Sequence, residues 1–161
     1  MQLAAEKSSW GQPLPPNHGR GISCSTYGDS YVAYVAEVSV DGAGDAFRVN
    51  RVVAAVDCGL AVNPDNVRAQ IEGAINFALT PVLGGEISIK EGAVEQSNFH
   101  DYRVLRMKDA PDIEVHLLPG ARDPANGVGE AGVPPLAPAV ANAIFAATGR
   151  RVRRLPLSKI A

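Results

Sequence analysis

The longest apolar runs in this chain are too rich in β-branched residues to be helices. Residues 31–40, YVAYVAEVSV, combine Val, Ala and Tyr, with Glu37 and Ser39 emerging only toward the end, which predicts a largely buried strand. A turn at Asp41-Gly42-Ala43-Gly44-Asp45 leads into residues 47–57, FRVNRVVAAVD, a second long strand that closes a hairpin with the first. The period then changes. Asn63-Pro64-Asp65 has the three residue types that open a helix: an oxygen for the orphan amides, a ring suited to the first turn and a negative charge at the positive end. Val67, Ile71, Ala74, Ile75 and Ala78 follow on one helical stripe, with Gln70 on the flank shared by Ala74 and Phe77. Pro81 is expected to end or bend this helix, and Gly84-Gly85 to stop it.

Farther along, residues 86–90 and 93–95 around Glu91-Gly92 read as a small hairpin, and residues 97–109 show no clean period and read as a long ordered loop. Ile113, Val115 and Leu117 alternate across a half-buried strand at 112–118. A Gly- and Pro-rich passage, residues 126–135, precedes an alanine-rich helix from about Leu136 to Thr148, closed by Gly149. Residues 1–18, Pro- and Gly-rich toward their end, read as an extended lead-in to a single unit over 19–161. The expected class is α+β: a hairpin-built mixed sheet with two main helices packed on it.

Composition narrows the function. With 161 residues, 46% of them hydrophobic, the chain has material for a real core, which excludes wholesale disorder. Fifteen Lys and Arg against 17 Asp and Glu give a formal charge of -2, so a generally basic nucleic-acid binder is not expected. Gly, Pro, Asn or a charge interrupts every apolar run before the roughly 20 residues of a membrane span. Residues 1–10, MQLAAEKSSW, lack the apolar core of an export signal, which leaves the cytoplasm, or a periplasm reached by co-export with a partner. Cys24 and Cys58 stand far apart and outside any ligand spacing, so two buried thiols are expected and no iron–sulfur cluster in this chain.

Few residues carry obvious chemistry. Glu130 sits among glycines directly before a rigid Pro-Pro pair, an arrangement suited to a positioned general base; by spacing alone the default is a solvated loop carboxylate. The glycines at 127, 129 and 132 complete neither of the two phosphate-loop signatures. Ser97, His100 and Asp101 have hydrolase residue types, but neighbours in a chain do not readily form a triad and no GxSxG elbow occurs. His18 and His116 share no zinc-type spacing. Gln70 is either bonded to nearby backbone or placed to recognise a polar ring or phosphate. Five cations between Arg150 and Lys159 alternate with apolar residues, as in a terminal strand docking on something.

Four collinear stretches carry a resemblance: GRGISCSTYGDSYVAYVAEVSV from Gly19, CGLAVNPDNVRAQIEGAINFAL from Cys58, EQSNFHDYRVLRM from Glu95, and GVGEAGVPP from Gly127 with the sequence that follows it to Leu157. They resemble the C-terminal end of the molybdenum-binding subunits of the xanthine oxidase and aldehyde oxidase family, in the bacterial branch typified by the large (beta) subunit of isoquinoline 1-oxidoreductase.

The resemblance implies a molybdenum–molybdopterin cofactor, with the cytosine dinucleotide among its forms, and a catalytic base in the GVGE motif, at Glu130. It implies that the Gln of the motif matched by Gln70-Ile71-Glu72-Gly73 contacts the pterin, that Gly129 lies against the cofactor, and that no protein side chain here ligates the metal. The implied reaction hydroxylates an N-heterocycle or oxidises an aldehyde with water as oxygen source, the electrons leaving through an iron–sulfur subunit. Family subunits are several times longer than this chain and place more cofactor contacts, and much of the substrate pocket, upstream of the matched stretches. A fragment, a split-gene product or one subunit of a divided enzyme is therefore expected, inactive until joined by the remaining molybdenum-subunit polypeptide. A non-catalytic remnant that keeps the fold is the alternative.

Overall fold

The computed structural model describes residues 1–42, 46–120 and 124–157. In chain order the elements are α1 (Gln2–Lys7), β1 (His18–Tyr27), β2 (Ser30–Val40), β3 (Phe47–Asp57), α2 (Pro64–Leu83), β4 (Ile89–Lys90), β5 (Ala93–Val94), a 3-10 turn (Met107–Asp109), β6 (Asp112–Leu117) and α3 (Leu136–Thr148). Four strands form one sheet in the order β1-β2-β3-β6; β1, β2 and β3 are antiparallel neighbours, and β6 joins β3 in parallel. A parallel neighbour needs a crossover, and α2 lies within it. The expected mixed sheet with two main helices is the fold observed.

One face of the sheet is the main core. Val32, Tyr34, Ala36 and Val38 of β2 and Val52, Ala54 and Val56 of β3 point to it, where Ile71, Ile75 and Leu79 of α2 and Leu136, Ala139, Val140 and Ala143 of α3 cover them. Each large aliphatic side chain removed from water there contributes about 1.5–3 kcal/mol. The helix α3 sits unusually close to β1 because neither surface has bulk. A Cβ at Gly21 would lie 2.1 Å from the Ala139 carbonyl oxygen and the Ala143 amide nitrogen; one at Gly19 would lie 2.2 Å from the Ala143 oxygen. Asn142 then reaches across to donate to the Ile22 carbonyl at 3.0 Å.

The helix α2 begins as its sequence requires. Asn63 Oδ1 accepts from the amides of Asp65 and Asn66, each at 3.1 Å. The whole stripe of Val67, Ile71, Ala74, Ile75 and Ala78 is buried. The helix runs through Pro81 to Leu83, with Pro81 on its exposed side.

The lead-in differs from its expectation. Residues 2–7 form α1, which buries Ala4 against Ala33, Val35 and Ala55 on the second face of the sheet. Isolated helices this short are unstable in water. Two arginines hold this one: Arg51 donates to the Lys7 carbonyl at 3.2 Å, and Arg20 donates to the carbonyls of Ser9 and Gln12 at 2.9 and 3.1 Å. Those same guanidinium groups pair with Glu114 and Glu37. Positive charge at a helix C-terminus satisfies orphan carbonyls and complements the dipole, a tertiary effect absent from local sequence. The strand β1, rich in Gly and Ser and given no period by the sequence, pairs with β2 along ten residues.

The small hairpin forms as β4 and β5, with Glu91 and Gly92 both at positive φ. The long loop is ordered by Asp101, whose carboxylate accepts from the amides of Asn98 and Ser97 and from the Ser97 hydroxyl. Those bonds, the Asn98 amide first, hold its acid group down at about 2. The arginine-rich tail is irregular over its described residues rather than a strand: Arg151 stacks on the Phe145 ring 3.5 Å from its centroid, and Pro156 and Leu157 are buried. The turn at 41–45 lies partly outside the described residues, as do 158–161.

The close β1–α3 contact gives opposite expectations for one substitution at two glycines. Gly21→Ala should destabilise the chain by about 1–3 kcal/mol, since backbone must move. Gly73→Ala, in α2 with nothing within 4 Å of the added methyl, should stabilise it by about 0.5–1 kcal/mol. Thermal unfolding followed by circular dichroism reads both.

Candidate functional site

The loop carrying Glu130 has no repeating structure of its own, and tertiary hydrogen bonds position it. Ser30, fully buried at the start of β2, donates from its hydroxyl to the Gly127 carbonyl at 2.8 Å. Asn126 donates through its amide side chain to the Asp29 carbonyl at 3.3 Å and through its backbone to the Cys58 carbonyl at 2.9 Å. Past the glutamate, the Tyr34 hydroxyl donates to the Gly132 carbonyl at 2.9 Å. Gly132 has room for that approach only without a side chain: a Cβ there would lie 2.7 Å from the Tyr34 oxygen and 2.8 Å from Ala74 Cβ. The Glu130 carbonyl also accepts from the Val133 amide at 3.0 Å, so the loop turns before its prolines.

Held this way, the loop brings two of the sequence-derived residues together. The position a Gly129 Cβ would take lies 3.9 Å from Gln70 Nε2, with nothing else within 4 Å. Gln70 reaches that point from the exposed flank of α2, and Gly129 and Glu130 are themselves exposed. Glu130 and Gly129 border a cavity shared with Tyr27 and Asp29 at the β1–β2 turn. Tyr27 is the residue that sequence reasoning missed. It borders the same cavity as Glu130, which raises the phenol above its ordinary range, first by hydrogen bonding and then by its negative charge. The available signal was the two-residue turn Gly28-Asp29 directly after Tyr27, with Gly28 at φ 58°.

Other candidates do not join this site. His100 Nε2 lies 3.4 Å from Asp101 Oδ2 within the 97–102 loop, and Asp101 is occupied by backbone amides. His18 opens β1, and half-buried His116 lies on β6 with Nε2 3.7 Å from Glu114. Cys58 is buried, but Cys24 is exposed, contrary to expectation, because it points from β1 to the second sheet face beside the area α1 covers. Among the described residues, no group of three or more His, Cys, Asp and Glu is placed to hold a metal ion, and no helix is long and apolar enough to cross a membrane.

The Tyr34–Gly132 bond sets a stability expectation. Tyr34→Phe should cost about 1–3 kcal/mol by leaving a buried carbonyl without its donor. Burial also pushes the Tyr34 phenol well above its usual value of 10.0. The folded state thus holds this proton more tightly than the unfolded chain does. Its contribution is intact below that usual value and is lost as pH rises toward the folded one. Urea midpoints measured across the alkaline range should fall for the native chain and lose this component in Tyr34→Phe.

A profile of the molybdopterin cofactor-binding domain family matches residues 1–111. Over 98% of its length the chain is 36% identical to the beta subunit of isoquinoline 1-oxidoreductase from Brevundimonas diminuta, and 34% identical to a nicotinate dehydrogenase subunit from Pseudomonas putida. It spans 20% and 15% of the lengths of those curated relatives. Among solved structures, quinoline 2-oxidoreductase from Pseudomonas putida 86 superposes on 74% of the chain, and on 16% of its own, with a TM-score of 0.66 at 29% identity. The sheet, the helices flanking it and these matches agree: this chain belongs to the molybdopterin cofactor-binding domain family found in molybdenum-binding subunits of the xanthine oxidase and aldehyde oxidase family.

Proposed function

We propose that this chain is the cofactor-facing C-terminal portion of the molybdenum-binding part of an oxidoreductase, with Glu130 as its general base. The observation that carries the reading is that Gly129 lies beside Gln70 of α2 and borders one cavity with Glu130. The donor set suits an organic cofactor with hydrogen-bonding edges. Gly129 leaves open space where a side chain would stand, and the Gln70 amide beside it both donates and accepts. When bound, the molybdenum–pterin group supplies the two-electron redox chemistry. Gln70 and Gly129 would hold its edge, and Glu130 would take the proton released as water-derived oxygen attacks the substrate carbon. For a hydroxylation, one substrate C–H and one water become one C–OH, two protons and two electrons, which pass to an iron–sulfur subunit.

The names of the relatives favour an N-heterocycle or an aldehyde as substrate. The rim is open, so the remaining molybdenum-subunit polypeptide would supply the other walls; the cytosine dinucleotide form of the cofactor belongs to the same proposal. In the assembled holoenzyme, Glu130→Gln should retain molybdenum while turnover falls ~10²–10⁴-fold. Turnover at the native rate would overturn the assignment and favour a non-catalytic remnant. Gln70→Ala should lower the molybdenum retained after purification, read by metal analysis; an unchanged content removes Gln70 from the cofactor site.

A further inference from the structure

The turn between β1 and β2 places a second proton-bearing side chain at the base. Tyr27 is the last residue of β1, paired with Ser30 across the ladder, so its backbone is fixed by the sheet. That turn and the Glu130 loop are tied to each other twice, through Ser30 to Gly127 and through Asn126 to Asp29. Tyr27 and Glu130 border the same cavity beside those ties. A bulky aromatic left 51% exposed contributes little to the core. Its position is better explained by what its hydroxyl meets.

We propose that Tyr27 is a positioning residue for Glu130, donating a hydrogen bond to one carboxylate oxygen so that the other faces the cavity. The inference rests on the reading of Glu130 as the base. A carboxylate on a glycine-flanked loop is free to rotate, and a general base works only within hydrogen-bond reach of the proton it takes. A phenol has two torsions to order, so it restrains the carboxylate at little entropic cost. It also occupies one oxygen's acceptor site and leaves the second oxygen unoccupied. Glu130 raises the phenol above its ordinary range, first by hydrogen bonding and then by charge, in keeping with the cavity the two residues share.

Two measurements test it. In this full chain, the tyrosinate absorbance of the native protein minus that of Tyr27→Phe isolates one phenol. It should titrate above the ordinary 10.0 and return toward that value in Glu130→Gln; no response to Glu130→Gln overturns the contact. In the assembled holoenzyme, Tyr27→Phe fills the same space without the donor. Its kcat should fall roughly 10- to 100-fold from misplacement of the base, with KM and molybdenum content unchanged. An undiminished kcat alongside coupled titration rejects the positioning role alone. Native turnover in Glu130→Gln removes the base itself, and this inference with it.

Discussion

The Tyr34 hydroxyl reaches the Gly132 carbonyl through a gap that any side chain at position 132 would close. The contact joins three parts of the molecule: the central strand β2, the stripe of α2 at Ile71 and Ala74, and the loop that carries Glu130. An apolar interior tolerates such a polar group only when it is paired, so the hydroxyl and the carbonyl fix each other's position. With Ser30 holding the other end of the loop, the segment from 127 to 132 is bound to the sheet at both sides of the glutamate. A loop without internal ladders becomes a defined surface by this means.

The two faces of the sheet are built by different physics. The inner face is close-packed aliphatic burial, with glycines on β1 and alanines on α3 letting backbone approach backbone. On the outer face the helix α1 buries a few small residues; Arg51 donates to its last carbonyl, at Lys7, and Arg20 to the Ser9 and Gln12 carbonyls beyond its end. The candidate site lies at the hairpin end of the inner layer, where β1 and β2 turn and the 126–132 loop crosses them. On the proposed reading, rigidity comes from this chain and enclosure from its companion polypeptide, which accounts for an exposed Glu130 on a firmly anchored loop.

Periodicity was a good guide wherever one segment buried a face of its own. The strands β2 and β3, the Asn63 cap and stripe of α2, and the span of α3 all follow from residues close together in the chain. It was a poor guide where a neighbour supplied the reason. The strand β1 has glycines, Gly19 and Gly21, where the α3 backbone approaches it, so no apolar stripe marks that face in the sequence. The last carbonyl of α1 is held by Arg51 of β3, far along the chain, and the turn after it by Arg20 of β1, while Cys24 stays exposed.

Local glycine, proline and helix-face spacing made Glu130 and Gln70 open candidates, and the family resemblance added Gly129 and gave all three their expected roles. Their assembly was not legible. The ties that place the loop join residues 97 and 98 positions apart, Ser30 to Gly127 and Tyr34 to Gly132, and such pairs leave no period in the sequence. Tyr27 escaped notice for the same reason, as an aromatic at a strand end is meaningful only beside the carboxylate it meets. The sequence by itself determined β2, β3, β6, α2 and α3, their apolar faces and the residue types available for chemistry. Tertiary structure alone decided which of them share a surface, because hydrogen bonds between distant segments depend on packing that no local pattern encodes.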